Sequence, residues 1–336
     1  MMLNVSLLGA GAIAKTHLQA YKKDGRVKIK WICDVNLEAA QKLAKEFDIP
    51  DVTTDYTQSL QDATVDFVDI MAPNFLHKAM AINAMDAGKA VLCEKPMALN
   101  AQESQDMADE SRRMGIRLFV KYHQRFDPVH AQAKKMLETG EFPMPIMALA
   151  TLFGNHLPSM LNANHWRGTP SLTGGGCLFS SGSHIIDLLR FFFGDVKAIT
   201  SVNRQLVVNN PAKGDDNASV ILEFNSGMMA TFVGCWTTNT WSRSYKWWNA
   251  DKTMHIYQDA SGANLLDIEQ GTTRKNILIT PDWAKVSHEI AISHFIDQML
   301  KDVEPYYSLE ECIKSMKTLE LAYKSSEEGR RILVDE

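Results

Sequence analysis

The sequence predicts an α/β protein: a Rossmann domain with a parallel sheet, followed by an α+β domain with a large, mainly antiparallel, open-faced sheet. From residue 3 to 122, short apolar runs alternate with helical stretches, which indicates right-handed βαβ crossovers. From residue 196 to 279 the runs are mostly strand-like, which indicates an antiparallel sheet. A chain of 336 residues exceeds what one core usually organises, so we predict domains at 1–122 and 123–336.

The first domain opens with a strand at 3–8, a turn with two glycines and a helix at 13–23. The same alternation predicts further strands at 27–33, 67–71, 89–93 and 116–122. Helices are predicted between them, at 37–47, 75–87 and 101–114.

In the second domain, the sequence predicts a helix near 129–138, then a strand, a loop from 155 to 173, and a glycine-led helix that ends near 193. Asn225-Ser226-Gly227 separates two strand-like runs and predicts a hairpin. Two helices close the chain. The last begins with a capping box, in which Ser308 is followed three residues later by Glu311.

The composition is that of a folded protein with a small-molecule partner. Hydrophobic residues make up 45% and charged residues 22% of the chain, and a net charge of -5 argues against nucleic-acid binding. The five cysteines are scattered without a C-x-x-C pair, so we expect neither zinc nor disulfides, and a cytoplasmic location. Without a basic leader or a run of ~18 apolar residues, we expect no signal peptide and no membrane anchor.

The turn after the first strand carries a dinucleotide motif. Residues 9–14 read G-x-G-x-x-A, a pattern that lets the backbone approach a pyrophosphate at a helix N-terminus. Asp34 lies 20 positions beyond Ala14, where a carboxylate accepts hydrogen bonds from ribose hydroxyls. The alternative for Asp34 is a cap on the helix beginning at Leu37. Because this carboxylate repels a 2′-phosphate and no arginine follows it, the sequence favours NAD over NADP.

The motif Cys93-Glu94-Lys95-Pro96 resembles that of one family, the Gfo/Idh/MocA oxidoreductases. The resemblance spans nearly the whole chain. Its other motifs are the loop Ala72-Pro73-Asn74-Phe75-Leu76-His77, Gln124-Arg125-Phe126-Asp127-Pro128, His165-Trp166-Arg167, Gly174-Gly175-Gly176, and Gly182-Ser183-His184-Ile185-Ile186-Asp187.

The dinucleotide motif and the resemblance together give two sets of candidate binding residues. The cofactor set is Gly9, Gly11, Ala12, Ile13, Asp34, Ala72, Pro73, Asn74, His77, Glu94 and Lys95. The substrate set is Lys95, Arg125, Trp166, Arg167, Ser180 and His184.

Hydride removal from a carbinol carbon needs a base and a cation beside the hydroxyl oxygen. Lys95 follows the fifth strand at the carboxyl edge of the sheet, where a surface lysine in a turn is the alternative; the resemblance implies the catalytic lysine. For His184 a buried core histidine is the alternative, and the resemblance implies the acid–base. Asp187 shares its helix face and is a candidate to orient the ring or bind substrate. Which of Lys95 and His184 is the base stays open.

One position departs from the family pattern. Many catalytic members carry an aspartate four residues before the histidine, where this chain has Ser180. A carboxylate there would raise the basicity of the histidine or bind a substrate hydroxyl, so its absence bears on both roles. Asp187 is a candidate to substitute in part.

Several aromatic and basic residues of the second domain allow two interpretations. Tryptophan faces stack on sugars or fill cores, and the stacking interpretation is strongest for Trp166 among Trp166, Trp236, Trp241, Trp247 and Trp248. Arg167 suits a substrate carboxylate or hydroxyl pair, or a structural salt bridge. His156 and His165 lie nine apart without acidic neighbours, so we expect no metal site.

The sequence thus predicts an NAD-dependent oxidoreductase that transfers hydride to or from a secondary hydroxyl of a sugar, sugar derivative or cyclitol. The first alternative is glycoside cleavage or isomerisation through transient oxidation. The second is a non-catalytic NAD-sensing regulator, for which Ser180 is the argument. The resemblance also implies a homodimer or homotetramer assembled through the open face of the second sheet, since that face would otherwise expose apolar surface.

Overall fold

A computed structural model describes residues 2–162, 166–210 and 212–334. The chain forms two compact units: unit 1 comprises residues 1–123 and 288–313, and unit 2 comprises residues 124–287 and 314–336. The domain limits from the sequence remain a prediction, and the structure differs from them in one respect. It groups 288–313, which we placed in the second domain, with unit 1.

Unit 1 contains a six-stranded sheet in which every strand pair is parallel. Its strands are β1 (Leu3–Leu8), β2 (Val27–Cys33), β3 (Asp51–Thr53), β4 (Phe67–Ile70), β5 (Ala90–Glu94) and β6 (Leu118–Lys121). Their order is β3-β2-β1-β4-β5-β6, the order of a Rossmann sheet. The order reverses between β1 and β4, and ligands of such sheets bind outside the carboxyl ends of the strands at that point.

Five helices connect these strands, and the alternating pattern predicts four of them. They are α1 (Ala14–Asp24), α2 (Leu37–Phe47), α3 (Tyr56–Leu60), α4 (His77–Asp86) and α5 (Ala101–Met114), with a 3-10 turn at Asn74–Leu76. Asn36 and Asn100 begin α2 and α5, because their side chains accept hydrogen bonds from the first-turn N–H groups of Ala39 and Glu103. The strands β4 and β5 are buried throughout, as expected when helices cover both faces of a sheet.

Unit 2 contains a nine-stranded, mainly antiparallel sheet. Its strands are β7 (Met147–Asn155), β8 (Val196–Arg204), β9 (Asn217–Phe224), β10 (Met229–Cys235), β11 (Thr237–Trp248), β12 (Thr253–Gln258), β13 (Asn264–Gln270), β14 (Thr273–Thr280) and β15 (Ile332–Leu333). They lie in the order β14-β13-β12-β11-β7-β10-β9-β8-β15, with β7 and β10 parallel and the other pairs antiparallel. The predicted hairpin at residues 225–227 joins β9 to β10.

Short and long helices complete the chain. They are α6 (Pro128–Glu138), α7 (Leu157–Leu161), α8 (Pro170–Thr173), α9 (Cys177–Ser180), α10 (Gly182–Phe193), α11 (Trp283–Lys301) and α12 (Leu309–Glu328). The loop predicted at 155–173 therefore contains two short helices, α7 and α8. Helices α6, α9 and α10 contact the sheet of unit 2. Among the described residues, no helix combines the length and apolar character needed to cross a membrane.

Candidate functional site

The carboxyl edge of the unit 1 sheet gathers the predicted cofactor residues. Gly9 follows β1, Asp34 follows β2, Ala72 lies just beyond β4, and Lys95 follows β5. Because these strands are parallel neighbours, all four residues lie at one edge, on both sides of the point where the strand order reverses.

The backbone conformation and the close approach of a neighbouring strand require glycine at the first position of the dinucleotide motif. Gly9 has a φ of 122°, and a Cβ there would lie 2.8 Å from the carbonyl oxygen of Met71. At Gly11 a Cβ would meet no atom within 4 Å, so the missing side chain leaves room above the turn. Gly11 and Ala12 are exposed and Ile13 is half-buried, immediately before α1. This open backbone at a helix N-terminus fits the pyrophosphate of a dinucleotide.

Asp34 is not the cap of α2, the alternative that the sequence allowed, because Asn36 performs that role. The Asp34 carboxylate instead accepts hydrogen bonds from the N–H of Ala10, at 2.7 Å, and from that of Asn36, at 2.8 Å. It therefore stands beside the glycine turn, as a ribose-binding carboxylate must. These residues fit the group that the motif implies.

His77 cross-links two loops at this edge. Its Nδ1 lies 2.9 Å from the carbonyl oxygen of Pro96 and its Nε2 lies 2.9 Å from that of Ala72. Burial lowers the pKa of His77, against the raising effect of these carbonyls. The Lys95-Pro96 peptide bond is cis. Since its two ring nitrogens face protein atoms, His77 is better placed to hold the Ala72 and Lys95 loops than to contact the cofactor directly.

Glu94, predicted to bind the cofactor, lies in a buried group of charges. Its Oε1 is 2.8 Å from Nζ of Lys121 and 3.0 Å from Nε2 of His17, and its Oε2 accepts from the N–H of Lys95 at 3.1 Å. Burial raises the pKa of Glu94, but Lys121 and His17 outweigh it and hold the pKa well below its usual range. Glu94 is thus an ionised carboxylate that is hydrogen-bonded to the backbone N–H of the candidate lysine.

In unit 2, two residues predicted for the site bind each other instead. Arg125 donates from Nε to Asp187 Oδ2 at 2.8 Å and from Nη2 to Asp187 Oδ1 at 2.7 Å, and Ser315 also donates to Oδ1 at 3.0 Å. Both charged side chains are 2% exposed. These contacts favour a structural role for the pair over the catalytic role predicted for Asp187 and the substrate role predicted for Arg125.

Other predicted substrate residues converge within unit 2. Arg167 donates from Nη1 to the hydroxyl of Ser180 at 3.4 Å, and its guanidinium lies over the ring of Trp166, 5.1 Å from the centroid. Burial lowers the pKa of Arg167. His184 lies half-buried one helical turn beyond Ser180, with its N–H bonded to the carbonyl of Ser181 at 3.2 Å. A cation, a hydroxyl and an aromatic face thus stand together where the family pattern has an aspartate.

Residues 213–215, for which the sequence predicted no role, hydrogen-bond to the Arg167 loop and to the start of α9. The carboxylate of Asp215 accepts from the N–H groups of Gly176 and Leu178, at 3.0 and 2.8 Å, and from the hydroxyl of Tyr323 at 2.6 Å. Lys213 donates to the carbonyl of Arg167 at 3.2 Å. A Cβ on Gly176 would collide with the backbone of Asp215, so only glycine fits there. Residues 213–215 therefore tie the Arg167 loop to the start of α9.

The tryptophans separate into core and surface positions. Trp236 and Trp247 are fully buried, and the indole N–H of Trp236 donates to Ser181 at 2.8 Å, so both are core residues. Trp166 and Trp248 are half-buried, and Trp241 is 58% exposed with its ring edge-on to His156. The substrate role of Trp166 stays a prediction, and its ring lies against the guanidinium of Arg167, which in turn donates to Ser180.

Within the described residues, one group of side chains has the composition of a metal site: His17, Glu94 and His288. The ammonium of Lys121 lies among their ligand-type atoms and contacts all three. The expectation of no metal also involved His165, which lies outside the described residues.

Comparison with known proteins matches both parts of the chain to one family. Residues 3–122 match the model of an oxidoreductase family with an NAD-binding Rossmann fold, and residues 130–259 match the GFO/IDH/MocA C-terminal domain.

Named relatives agree with this match. Levoglucosan dehydrogenase of Pseudarthrobacter phenanthrenivorans is 31% identical over 217 residues, which is 62% of this chain and only 56% of that protein. D-apiose dehydrogenase of Paraburkholderia graminis is 26% identical over 97% of this chain and 88% of its own. A solved levoglucosan dehydrogenase in complex with NADH and L-sorbose shares the fold, with a TM-score of 0.89, 21% identity and 99% coverage of both chains.

Proposed function

Because the chain belongs to the Gfo/Idh/MocA family of oxidoreductases with an NAD-binding Rossmann fold, we propose that it transfers hydride between NAD and a secondary hydroxyl of a sugar, sugar derivative or cyclitol. The observation that carries the proposal is the position of Lys95. It directly follows β5 at the same sheet edge as the glycine turn and Asp34, so a cation and proton donor stands where the dinucleotide fits.

Five residues of unit 1 have a defined role in this proposal. NAD, when bound, supplies the hydride acceptor. Gly9 and Gly11 admit the pyrophosphate, and Asp34 accepts from the ribose hydroxyls. Lys95 stabilises the substrate oxygen as its proton leaves, or takes the proton itself. Glu94 fixes the backbone of Lys95 through the hydrogen bond to its N–H.

Unit 2 supplies the substrate contacts. His184 is proposed as the second acid–base group, and Ser180 and Arg167 as hydrogen-bond partners of substrate hydroxyls. Trp166 offers an aromatic face to the apolar side of a sugar ring. Levoglucosan and D-apiose, the substrates that name two relatives, are both sugars, which supports this substrate class.

The test is a dehydrogenase screen with NAD over neutral sugars, sugar acids and inositols, followed by NADH absorbance. Net NADH formation with one class supports the proposal and identifies the substrate. Product formation with only catalytic amounts of NAD would support cleavage or isomerisation through transient oxidation instead. NADH binding without turnover on the whole panel would support a regulator.

We also propose that the protein is a homo-oligomer assembled through the face of the unit 2 sheet that its helices do not cover. Four apolar side chains on neighbouring strands are exposed there: Met147, Leu149, Ile221 and Met229. Clustered apolar side chains of this kind mark protein interfaces. Leu149→Glu should lower the mass of the particle in light scattering, whereas an unchanged mass would place the interface elsewhere.

A further inference from the structure

Five buried ionisable side chains form one hydrogen-bonded group in unit 1, which we call the Lys121 cluster: His17, Asp69, Glu94, Lys121 and His288. Of these five residues, only Glu94 has a role predicted from the sequence. Buried charges are costly unless each is matched by a partner, so a group of this size needs a reason.

Lys121 is the centre of the cluster. It ends β6 and pairs in register with Glu94 on β5. Its side chain is fully buried, and its Nζ lies 2.8 Å from Oε1 of Glu94 and 2.7 Å from Nδ1 of His288, and also contacts Nε2 of His17. A protonated lysine has three donors and no acceptor, so Oε1 of Glu94 accepts from it, and the roles of the two histidine nitrogens follow from their tautomers. The ammonium of Lys121 thus occupies the position that a metal ion would occupy among such ligands.

The far side of the cluster is anchored by α1 and β4. His17 and Tyr21 lie four residues apart on one face of α1, and both contact Oδ2 of Asp69 on β4, at 2.6 and 2.7 Å. Burial and the charge of Lys121 lower the pKa of His17, but Asp69 and Glu94 together outweigh them, so the pKa is raised. The cluster therefore connects α1, β4, β5 and β6 through fixed polar contacts.

The near side of the cluster reaches the candidate catalytic lysine. The two carboxylate oxygens of Glu94 have different partners. Oε1 contacts Lys121 and His17, and Oε2 accepts from the backbone N–H of Lys95. We propose that Lys121 is a positioning residue, which holds Glu94 ionised and in this orientation so that Glu94 fixes the backbone of Lys95. This inference rests on the catalytic role proposed for Lys95.

Removing the ammonium leaves Glu94 as a buried carboxylate with a weaker set of partners. Such a group takes up a proton or turns toward other donors. Both changes weaken the hydrogen bond from Lys95, because a charged acceptor binds an N–H more strongly than a neutral one. A small displacement of a reacting group lowers the rate of the chemical step much more than it changes ligand affinity.

The test compares Lys121→Met with Lys89→Met in the full-length protein. Lys89 is a matched control, since it is also a buried lysine of unit 1, but its Nζ donates to the carbonyls of Asp62 and Val65, each at 2.8 Å, before the opposite end of β5. Lys121→Met should lower kcat on the order of 10- to 100-fold with NADH affinity unchanged. Lys89→Met should leave both at the level of the wild-type protein.

A second readout does not depend on activity. In protein labelled with 15N-lysine, the Lys95 amide signal is assigned by its loss in Lys95→Arg. Its proton should shift upfield in Lys121→Met, because the bond to the carboxylate weakens, and should not shift in Lys89→Met. A Lys95 amide that stays in place in Lys121→Met overturns the inference, as does a kcat loss no larger than that of Lys89→Met.

The experiment also covers a Lys121 variant that does not fold and a failure of the role proposed for Lys95. If Lys121→Met does not fold, the double variant Lys121→Met/Glu94→Gln removes both charges together, and a wild-type Lys95 amide shift in that variant overturns the inference. If Lys95→Met retains normal turnover, the proposed function of Lys95 fails, while the amide shift still decides whether Lys121 positions that residue.

Discussion

Replacing Asp187 with alanine decides between a structural and a catalytic role for this residue. Because Asp187 shares a helix face with His184, the sequence predicted it as a site residue, whereas the structure pairs it with Arg125. If the pairing is its role, Asp187→Ala should destabilise unit 2. The chemical step should be affected less.

The expected destabilisation follows from the geometry of the pair. Both side chains are 2% exposed, and the carboxylate accepts two hydrogen bonds from the guanidinium, at 2.8 and 2.7 Å. Deleting one member of a buried pair leaves the other charge uncompensated, which costs about 3–5 kcal/mol. For a unit of this size, each kcal/mol lowers Tm by about 2–4 °C. Asp187→Ala should therefore lower Tm by roughly 6–20 °C.

Glu223→Gln is the matched control in the same unit. Glu223 also forms a two-pronged pair with an arginine, at 2.5 and 2.7 Å to Arg331, but its side chain is 32% exposed and that of Arg331 is 44% exposed. Such an exposed pair contributes about 0–1 kcal/mol. Six of the seven tryptophans lie in unit 2 and only Trp31 lies in unit 1, so tryptophan fluorescence during urea or thermal unfolding reports on unit 2.

The second part of the assay measures kcat at a temperature well below the unfolding transitions of both variants. The structural role predicts that Asp187→Ala loses less turnover than the ~100-fold typical of removing a positioned acid–base group. The reasoning is refuted if Asp187→Ala unfolds at the same temperature as Glu223→Gln while its kcat falls ~100-fold or more. That result would return Asp187 to the role of orienting His184.

Other substitutions test the site residue by residue. Asp34→Ala should narrow the preference for NADH over NADPH in fluorescence titrations, and equal affinities in the wild-type protein would remove the argument from Asp34. Ser180→Asp should raise turnover on inositol or simple pyranoses if Ser180 sets specificity, and unchanged activity on that panel would count against this role. Lys95→Ala and His184→Ala should each bind NADH normally and lose on the order of 100-fold in kcat, and together less than the product of the two losses. Near-normal turnover in His184→Ala would contradict its assignment.

Local pattern was sufficient to predict much of unit 1. Four predicted elements, at 3–8, 27–33, 37–47 and 101–114, coincide with β1, β2, α2 and α5. Apolar periodicity marks all four, and asparagine caps mark the starts of the two helices. The short strand β3 and helix α3 were missed, since three and five residues give too little periodicity. β15 was missed for the same reason, and it forms only by pairing with β8.

Side-chain roles depended on contacts that spacing does not encode. Asp187 lies three residues from His184 in sequence, but Arg125, 62 residues away, takes both of its oxygens. Lys121 reads as the polar end of a strand, and its partners come from α1, β5 and α11. The run Gly214-Asp215-Asp216 could have indicated the segment that hydrogen-bonds to the start of α9. Acidic residues after a glycine often accept hydrogen bonds from backbone N–H groups in turns.

The most direct test of hydride transfer is the amount of NADH formed per molecule of substrate oxidised, measured with the best substrate of the screen for the wild-type protein and for Lys95→Met. The proposal predicts one NADH for each oxidised product in the wild-type protein, and a rate on the order of 100-fold lower in Lys95→Met, which still binds NADH. Product formed without net NADH, or an undiminished rate in Lys95→Met, would contradict it.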